Sequence, residues 1–270
     1  MIDQSISVTK LTPYLGAEIG SIDLTQTLTN RQVQEIHDAL MEHSVVFFRD
    51  QPIDIPTLKR FGQHFGKLHK HSAMSGAPGH PEVTFVHADE KSTRVIGEEW
   101  HTDLSCDPVP PMGSILHLHT VPPFGGDTAF ASMYAAYEDL SDRMKIFLDG
   151  LTATHDGYIA FGSRYPGQQY PRAAHPVVPR HPVTGRKLLF VNRGFTARIN
   201  ELPQSESVGV LALLFAHCEK PDFQMRFHWR KDSIAFWDNR CTQHLAIWDY
   251  YPHVRSGNRV QIDGESAMTA

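Results

Sequence analysis

The chain has 270 residues, of which 41% are hydrophobic and 20% are charged, and this balance predicts a folded globular protein with a sizeable core. A formal net charge of −5 and the lack of a dense lysine or arginine run argue against a nucleic-acid partner. The longest apolar run, residues 208–216, is too short to span a bilayer, and the chain starts without a basic segment followed by an apolar one. We therefore expect a cytoplasmic protein without a membrane partner, with reduced thiols at Cys106, Cys218 and Cys241.

The predicted elements begin with a helix over residues 31–43, capped by Thr29 or Asn30, because apolar residues recur there at helical spacing. A buried strand over residues 45–48 and a second helix over residues 56–65, ending near Gly66, follow it. Residues 70–81 are rich in Gly, Pro, Ser and His and predict a loop. Further strands are predicted over residues 83–86, 115–119, 128–130, 151–155, 188–191, 223–229, 233–236 and 258–262, and further helices over residues 133–140, 142–148 and 205–217.

Many short strands with few long helices favour a mostly β fold with flanking helices (α+β), built as a β-sandwich or jelly roll, that is, a double-stranded β-helix. No repeat or break in composition divides residues 1–270, so we expect a single domain. Residues 158–180 contain many Pro, Gly and Arg residues and no clear period. A loop of this length predicts a functional lid or insertion.

Two distant segments carry the chemistry that we predict, namely W-H-T-D at residues 100–103 and W-D-N-R-C-T-Q-H at residues 237–244. In a strand, His101 and Asp103 would project from the same face, because side chains repeat every second residue. A second histidine from a distant strand would complete two imidazoles and one carboxylate on one side of a metal. Such a set leaves about three of six octahedral positions open, as in non-haem Fe(II) oxygenases.

Most of the 17 histidines are expected to have structural roles. His117 and His119 alternate with leucines, as on a strand with one buried face, and we assign them to packing. His69 and His71 stand at the start of the predicted loop, where a functional role stays open. Cys106, close to the first segment, is expected to be a small buried residue.

Several motifs occur along the whole chain in one order, namely LTPYLGAEI at residues 11–19, VFFRDQ at 46–51, FGKLH at 65–69, WHTD at 100–103, GGDT at 125–128, WDNR at 237–240 and QH at 243–244. In these motifs and in their order, the chain resembles the taurine dioxygenase family of Fe(II)/2-oxoglutarate oxygenases.

Carried over position by position, the resemblance implies that His101, Asp103 and His244 bind Fe(II). It also implies that Thr128 and Arg255 hold the remote carboxylate of 2-oxoglutarate, the cosubstrate that is consumed together with O₂. The residue chemistry agrees, because a buried dianionic keto acid needs a fixed cation, and arginine offers a permanently charged, bidentate fork.

The resemblance further implies a small anionic organic substrate, such as a sulfonate, sulfate ester, carboxylate or phosphonate. The family's contacts to a sulfonate match His71, Arg259 and the backbone N–H of Leu104, and its aromatic walls match Phe161 and Phe195. A second buried arginine beside the first would be unfavourable without an anion to pair with, which supports the same substrate class.

Two positions depart from the family's taurine enzymes, which have a tyrosine and an asparagine where this chain has Met74 and Gly97. Methionine is apolar and glycine has no side chain, so hydrogen-bond partners for an amine are lost. We therefore expect taurine to be a poor substrate and the pocket to prefer an anion with a larger or less polar tail.

Two other functions stay open on the residues alone. A His₂Asp set also suits Zn²⁺ and hydrolysis by a metal-activated water, although Thr128 and Arg255 then have no role. A cupin-like jelly roll that binds a small anion without catalysis is the second alternative. Whichever function holds, the dioxygenase included, we expect the chain to form a homo-oligomer, a dimer or a tetramer.

Overall fold

The computed structural model describes residues 5–71, 74, 76–163 and 165–270. Its strands are β1 (Ser7–Lys10), β2 (Ala17–Gly20), β3 (Val45–Phe48), β4 (Val83–Ala88), β5 (Gly113–Thr120), β6 (Thr128–Ser132), β7 (Thr152–Asp156), β8 (Arg172–Pro176), β9 (Thr196–Ile199), β10 (Gln224–Phe227), β11 (Ser233–Asp238), β12 (Thr242–Ala246) and β13 (Arg255–Ile262). Its helices are α1 (Asn30–His43), α2 (Ile55–Gln63), α3 (Met133–Glu138), α4 (Asp142–Leu148), α5 (Gly157–Phe161) and α6 (Gln204–Cys218). Within these residues no helix is both long and apolar enough to cross a bilayer.

The described strands form one large sheet and two small ones. The large sheet has the order β1-β2-β3-β11-β5-β13-β4, and its pairs are antiparallel except β2 with β3. The small sheets have the orders β10-β6-β12 and β8-β7-β9. Late strands therefore lie between early ones in the large sheet, as expected for a jelly roll. The predicted mostly β fold with flanking helices is confirmed.

The centre of the fold lies between the large sheet and the sheet β10-β6-β12. Phe47 and Trp237 from the large sheet pack there against Phe130 and Phe227, and the rings of Phe47 and Phe227 stack with centroids 3.8 Å apart. The neighbours of Phe47 in sequence point to the opposite face, because side chains alternate along a strand. Burial on both faces explains why β3 is continuously apolar.

Helices α1 and α2 cover that opposite face of the large sheet, where their apolar side chains join a second core. Helix α1 begins where the sequence predicts, with Thr29 as its N-cap. The Thr29 hydroxyl accepts from the Gln32 backbone N–H at 3.2 Å, and the Gln32 side chain accepts from the Thr29 N–H at 2.9 Å. This reciprocal capping box satisfies two donors that the first turn would leave unpaired.

The predicted strand over residues 188–191 is wrong. These residues are buried, as the apolar pattern indicates, but their backbone N–H groups bond to two separate segments instead of one strand: Leu188 to Pro179 and Phe190 to Val177 in one segment, and Leu189 to Met133 in the other. An apolar run thus revealed burial but not the hydrogen-bond partners that define a strand.

The segment over residues 158–180 is also more ordered than predicted. Most of α5 lies inside it, and β8 pairs with β7, so the irregular part is confined to the residues between them. Residue 164 of this segment, like residues 72, 73 and 75 of the predicted loop over residues 70–81, lies outside the described residues. The sequence also missed β1, β2, β8, β9 and β12, which are only four or five residues long.

Candidate metal centre and substrate cavity

His101 and His244 face each other across an isolated antiparallel bridge. The His101 N–H donates to the His244 carbonyl at 3.1 Å, and the His244 N–H donates to the His101 carbonyl at 2.8 Å. Residues that exchange both backbone bonds lie directly opposite each other, with their side chains on one face of the pair. Both imidazoles therefore reach the same side, and their ring centroids are 4.1 Å apart.

Asp103 arrives by a turn rather than along a strand, so the expectation that a strand carries His101 and Asp103 is wrong. The chain leaves the bridge after His101, and residues 103–106 form a turn in which Leu104 has a left-handed φ of 49°. The buried Thr102 hydroxyl fixes this departure by donating to the Thr242 carbonyl. The turn brings the carboxylate within 4 Å of both imidazoles.

The three side chains converge as a metal site requires. Asp103 Oδ1 lies 3.5 Å from His101 Nε2 and 3.8 Å from His244 Nε2. Ligand atoms about 2.1 Å from one metal, at right angles, lie about 3 Å apart, so a small contraction around an ion suffices. All three residues are buried with their ligand atoms close together, and two histidines with one carboxylate are the ligand set of non-haem iron oxygenases.

Hydrogen bonds and charges prepare these side chains as ligands. His101 Nδ1 donates to the Glu99 carbonyl at 2.7 Å, which leaves the Nε2 lone pair facing the centre. Burial and the neighbouring His101 hold the pKa of His244 well below its ordinary value, so this imidazole is neutral. Burial alone would raise the pKa of Asp103, but Arg259 and the imidazoles hold it well below its ordinary value. Two neutral nitrogens and one carboxylate suit a divalent ion such as Fe(II).

Thr128 and Arg255 lie together on one side of this centre. Arg255 Nη2 is 3.3 Å from Thr128 Oγ, and its Nε donates to the Gly126 carbonyl at 2.9 Å. The Trp229 indole N–H also donates to Thr128 Oγ, at 3.0 Å. Both predicted residues line a narrow cavity that His101 and His244 also line.

A larger cavity of about 350 Å³ opens on the other side. Every residue predicted to contact the substrate lines it: His71, Met74, Leu104, Phe161, Phe195 and Arg259. Arg259 and Gly97 line both cavities, so the metal centre lies where the two spaces meet. Such a division gives two ligands separate access to one ion.

Comparisons with known proteins agree with this geometry. A sequence model described as "Taurine catabolism dioxygenase TauD, TfdA family" matches residues 7–261. The chain belongs to this family. An alkylsulfatase of Acinetobacter baylyi is 34% identical over 97% of this chain and 86% of its own length. An alpha-ketoglutarate-dependent sulfonate dioxygenase of Saccharomyces cerevisiae is 36% identical over 91% of this chain and 63% of its own length.

A crystal structure of a taurine dioxygenase from Burkholderia xenovorans superimposes with a TM-score of 0.86 at 35% identity, covering 97% of this chain and 90% of the other. The TauD, TfdA family member described here is therefore an oxidoreductase of the 2-oxoglutarate-dependent dioxygenase type, with Fe(II), 2-oxoglutarate and O₂ as its metal and cosubstrates. The predicted dioxygenase is therefore confirmed, in preference to a zinc hydrolase or a non-catalytic anion-binding protein.

A second buried cluster in the described residues, His181, Asp238 and Cys241, has ligand-like spacing but not the chemistry of a metal site. Backbone N–H groups donate to His181 Nδ1, so its Nε2 carries the proton and donates to Asp238 at 3.0 Å. The Arg240 guanidinium pairs with the same carboxylate at 2.6 Å, and burial raises the pKa of the Cys241 thiol. The cluster shapes the turn between β11 and β12, the segment that leads to His244.

Three loop residues and one residue of α5 line a part of the cavity that the sequence did not predict. Arg94, Ile96, Ile159 and Arg193 line it, yet they belong to no motif, and only their proximity in the fold reveals them.

His69, which the sequence places beside His71 at the start of the loop, has a different role, because it pairs with Asp263 at 2.8 Å. His117 pairs with Asp232 at 3.3 Å, in the structural role predicted for it, and Cys106 is buried as expected.

We expect His244→Ala to remove the stabilisation that a divalent metal confers. At a metal concentration of 100 times Kd, the intact site should add about 2.7 kcal/mol to the free energy of unfolding, and the variant should gain none. Anaerobic thermal unfolding with and without Mn(II) measures this difference. His217→Ala is the matched control, because it removes a partly buried histidine that bonds to the Ala136 carbonyl at 2.7 Å, outside both clusters, and should lower the melting temperature while preserving the metal-induced shift. Persistence of that shift in His244→Ala would contradict the assignment.

A buried polar network supports the cavity wall and makes stability depend on pH. His155 Nδ1 lies 2.9 Å from Ser105 Oγ, the Asn192 side-chain NH₂ donates to the same hydroxyl, and the Asn192 side-chain oxygen Oδ1 accepts from the Phe195 N–H. Burial, aided by His175, lowers the pKa of His155 from 6.5 to about 3. Between these pH values the unfolded chain binds a proton that the folded chain does not, so the free energy of unfolding falls as the pH falls.

We expect the His155→Gln variant to lose that proton-linked term. Between pH 6 and pH 4, the free energy of unfolding of the unaltered protein should fall more steeply than that of the variant, by about 1.36 kcal/mol per pH unit. Urea unfolding at several pH values provides the two slopes. Parallel slopes would mean that His155 titrates alike in the folded and unfolded chains.

Proposed function

We propose that this dioxygenase oxidises a small anionic organic substrate at the carbon next to its heteroatom, coupled to conversion of 2-oxoglutarate and O₂ into succinate and CO₂. The observation that carries the proposal is a pair of buried arginines, Arg255 and Arg259, on the same strand β13. One lines the narrow cavity and the other lines both cavities beside the His–Asp–His centre.

Arg255 supports the assignment of the narrow cavity to 2-oxoglutarate. It is only 5% exposed, and within the described residues no carboxylate forms an ion pair with it. Burial lowers its pKa, but a guanidinium stays charged at neutral pH. A buried cation without an anion is unfavourable, so the cavity is suited to the remote carboxylate of a keto acid, with the Thr128 hydroxyl as a second donor.

Arg259 and His71 support an anionic head group in the larger cavity. Arg259 Nη1 pairs with Asp103 at 3.0 Å, while its buried Nε has no hydrogen-bond partner in the described residues. The Met74 N–H donates to His71 Nδ1 at 3.2 Å, which leaves the proton on His71 Nε2. Burial, and then the Arg259 charge, lower the pKa of His71 to about 3, so it acts as a neutral donor. A sulfonate, sulfate ester, carboxylate or phosphonate offers the acceptors that this pair needs.

The apolar part of the larger cavity's lining favours a substrate with an apolar tail. Met74, Ile96, Ile159, Phe161 and Phe195 line it with apolar surface. The backbone at residue 97 has a φ of 85°, and a Cβ built there would lie 3.0 Å from His101 Cε1. An asparagine at this position would therefore strain the chain and press on a metal ligand. These features support the prediction that taurine, with its ammonium end, is a poor substrate.

Bound Fe(II) would supply O₂ activation and oxidation of the substrate C–H bond, chemistry that no side chain provides. The chain's own residues bind and orient the two organic ligands. Arg255 and Thr128 hold the cosubstrate, Arg259 and His71 hold the head group, and the aromatic walls keep water away from the reacting carbon. Catalysis by this chain is therefore mainly positioning.

The experiment is a substrate panel with succinate release as the readout. We expect alkyl sulfates, alkyl sulfonates or aryloxy carboxylates to exceed taurine in kcat/KM by at least about tenfold, because Met74 and Gly97 offer the ammonium no side-chain hydrogen-bond partner. The matched variant is Met74→Tyr, which restores a hydroxyl near the tail and should shift the ratio toward taurine. Omission of Fe(II) or O₂ should abolish succinate formation.

Each contrary outcome has a distinct meaning. A preference of the unaltered protein for taurine would contradict the predicted tail but not the reaction. Absence of succinate with every anion, despite Fe(II) and O₂, would contradict the proposed reaction. Product formation with Zn²⁺ and without O₂ would favour hydrolysis instead.

We also propose that residues 1–270 act as one catalytic domain in the cytoplasm and that residues 158–180 serve as its lid. Support for a lid comes from Ile159 and Phe161, which line the larger cavity. Assembly into a homo-oligomer is supported by exposed apolar side chains on α6, Val208 and Leu213. Light scattering after size-exclusion chromatography should give the mass of a dimer or tetramer, and a monomer mass would contradict the proposal.

A further inference from the structure

The two oxygens of the Asp103 carboxylate have different surroundings. Oδ1 faces the imidazoles of His101 and His244 and accepts from Arg259 Nη1 at 3.0 Å. Oδ2 accepts from the Ser114 hydroxyl at 2.6 Å. One oxygen is therefore turned toward the metal position, and the other is occupied by a hydrogen bond inside the protein.

Ser114 is the end of a buried chain of hydrogen bonds. The Trp237 indole N–H donates to Asn239 Oδ1 at 2.8 Å, and Asn239 Nδ2 donates to Ser114 Oγ at 3.0 Å. Ser114, Trp237 and Asn239 are at most 2% exposed, and Ser114 lies opposite Trp237 in the pairing of β5 with β11. Water therefore has little access to this chain, and its members are held by the large sheet.

Only one set of donor and acceptor roles fits this series of hydrogen bonds. An indole N–H can only donate, so the Asn239 oxygen must face Trp237 and its NH₂ must face Ser114. Because the Ser114 oxygen accepts from that NH₂, its own proton is directed to Asp103, and a carboxylate can only accept. Every donor in this series of hydrogen bonds thus points toward the Asp103 carboxylate.

We propose that Ser114, oriented by Asn239 and Trp237, is a positioning residue that holds Asp103 to one-oxygen ligation of the metal. The inference rests on the metal site of the proposed function. A carboxylate that bound through both oxygens would take one of about three positions that the His₂Asp set leaves open. A chelating keto acid needs two of these and O₂ needs the third, so the Ser114 hydrogen bond keeps a position available.

The test compares the Mn(II)-loaded protein with two variants, Ser114→Ala and Asn239→Asp. The first removes the donor to Oδ2, and the second replaces the amide NH₂ by a carboxylate that competes for the Ser114 proton. Crystal structures of the Mn(II) complexes give the two metal–oxygen distances of Asp103. We expect one bound oxygen in the unaltered protein and a rotated or doubly bound carboxylate in both variants. Calorimetric titration of the Mn(II)-loaded proteins with 2-oxoglutarate should show at least about tenfold weaker binding in both.

Ser233→Ala is the matched control, because Ser233 is equally buried on β11 but lies opposite Leu118 instead of near Asp103. It should lower the melting temperature without changing the carboxylate geometry or the 2-oxoglutarate affinity. If one test variant does not fold, the other still gives both readouts. Unchanged geometry and affinity in a folded test variant would overturn the inference. If the unaltered protein itself bound neither Mn(II) nor 2-oxoglutarate, the proposed function would fail instead.

Discussion

Two backbone hydrogen bonds between His101 and His244 are the constraint on which the rest of the site depends. They join a loop from the first half of the chain to β12 near its end, and they set both imidazoles on one face. Side-chain contacts alone would leave two long segments free to slide, whereas a paired bridge fixes register and direction together. The Thr102 hydroxyl then ties the outgoing chain to Thr242, so Asp103 has one available position.

Charge balance explains why so many ionisable groups are buried close together. Two arginines and a ferrous ion would be matched by the Asp103 carboxylate, a dianionic keto acid and a monoanionic substrate, with the histidines neutral. Without its ligands the site holds Arg255 unpaired among the described residues and Arg259 paired with Asp103. A buried cation without a counter-ion favours anion binding, so the charges of the site contribute directly to its affinity for anionic ligands.

The jelly roll divides the space around this centre. β13 contributes Arg255 toward the narrow cavity and Arg259 toward both, because residues four apart on a strand share a face. Gly97 borders both spaces and approaches His101 so closely that a side chain would disturb it. Rigid strands thus hold the metal and cosubstrate side, while loops and α5 shape the side that meets the substrate's tail, where relatives of one family can diverge.

The sequence by itself predicted buried strands such as β3, the capped first helix and the candidate residues for the metal, the cosubstrate and the head group. Apolar runs such as residues 45–48 and the Thr29 cap are local signals, and the ligand motifs combine rare residue types in one order. Only the tertiary structure decided that residues 188–191 bond to two segments, that a turn delivers Asp103, and that Ser114, Arg94 and Ile96 lie at the candidate site. Hydrogen-bond partners and cavity walls depend on strand register and on contacts between distant segments, and no local pattern encodes them.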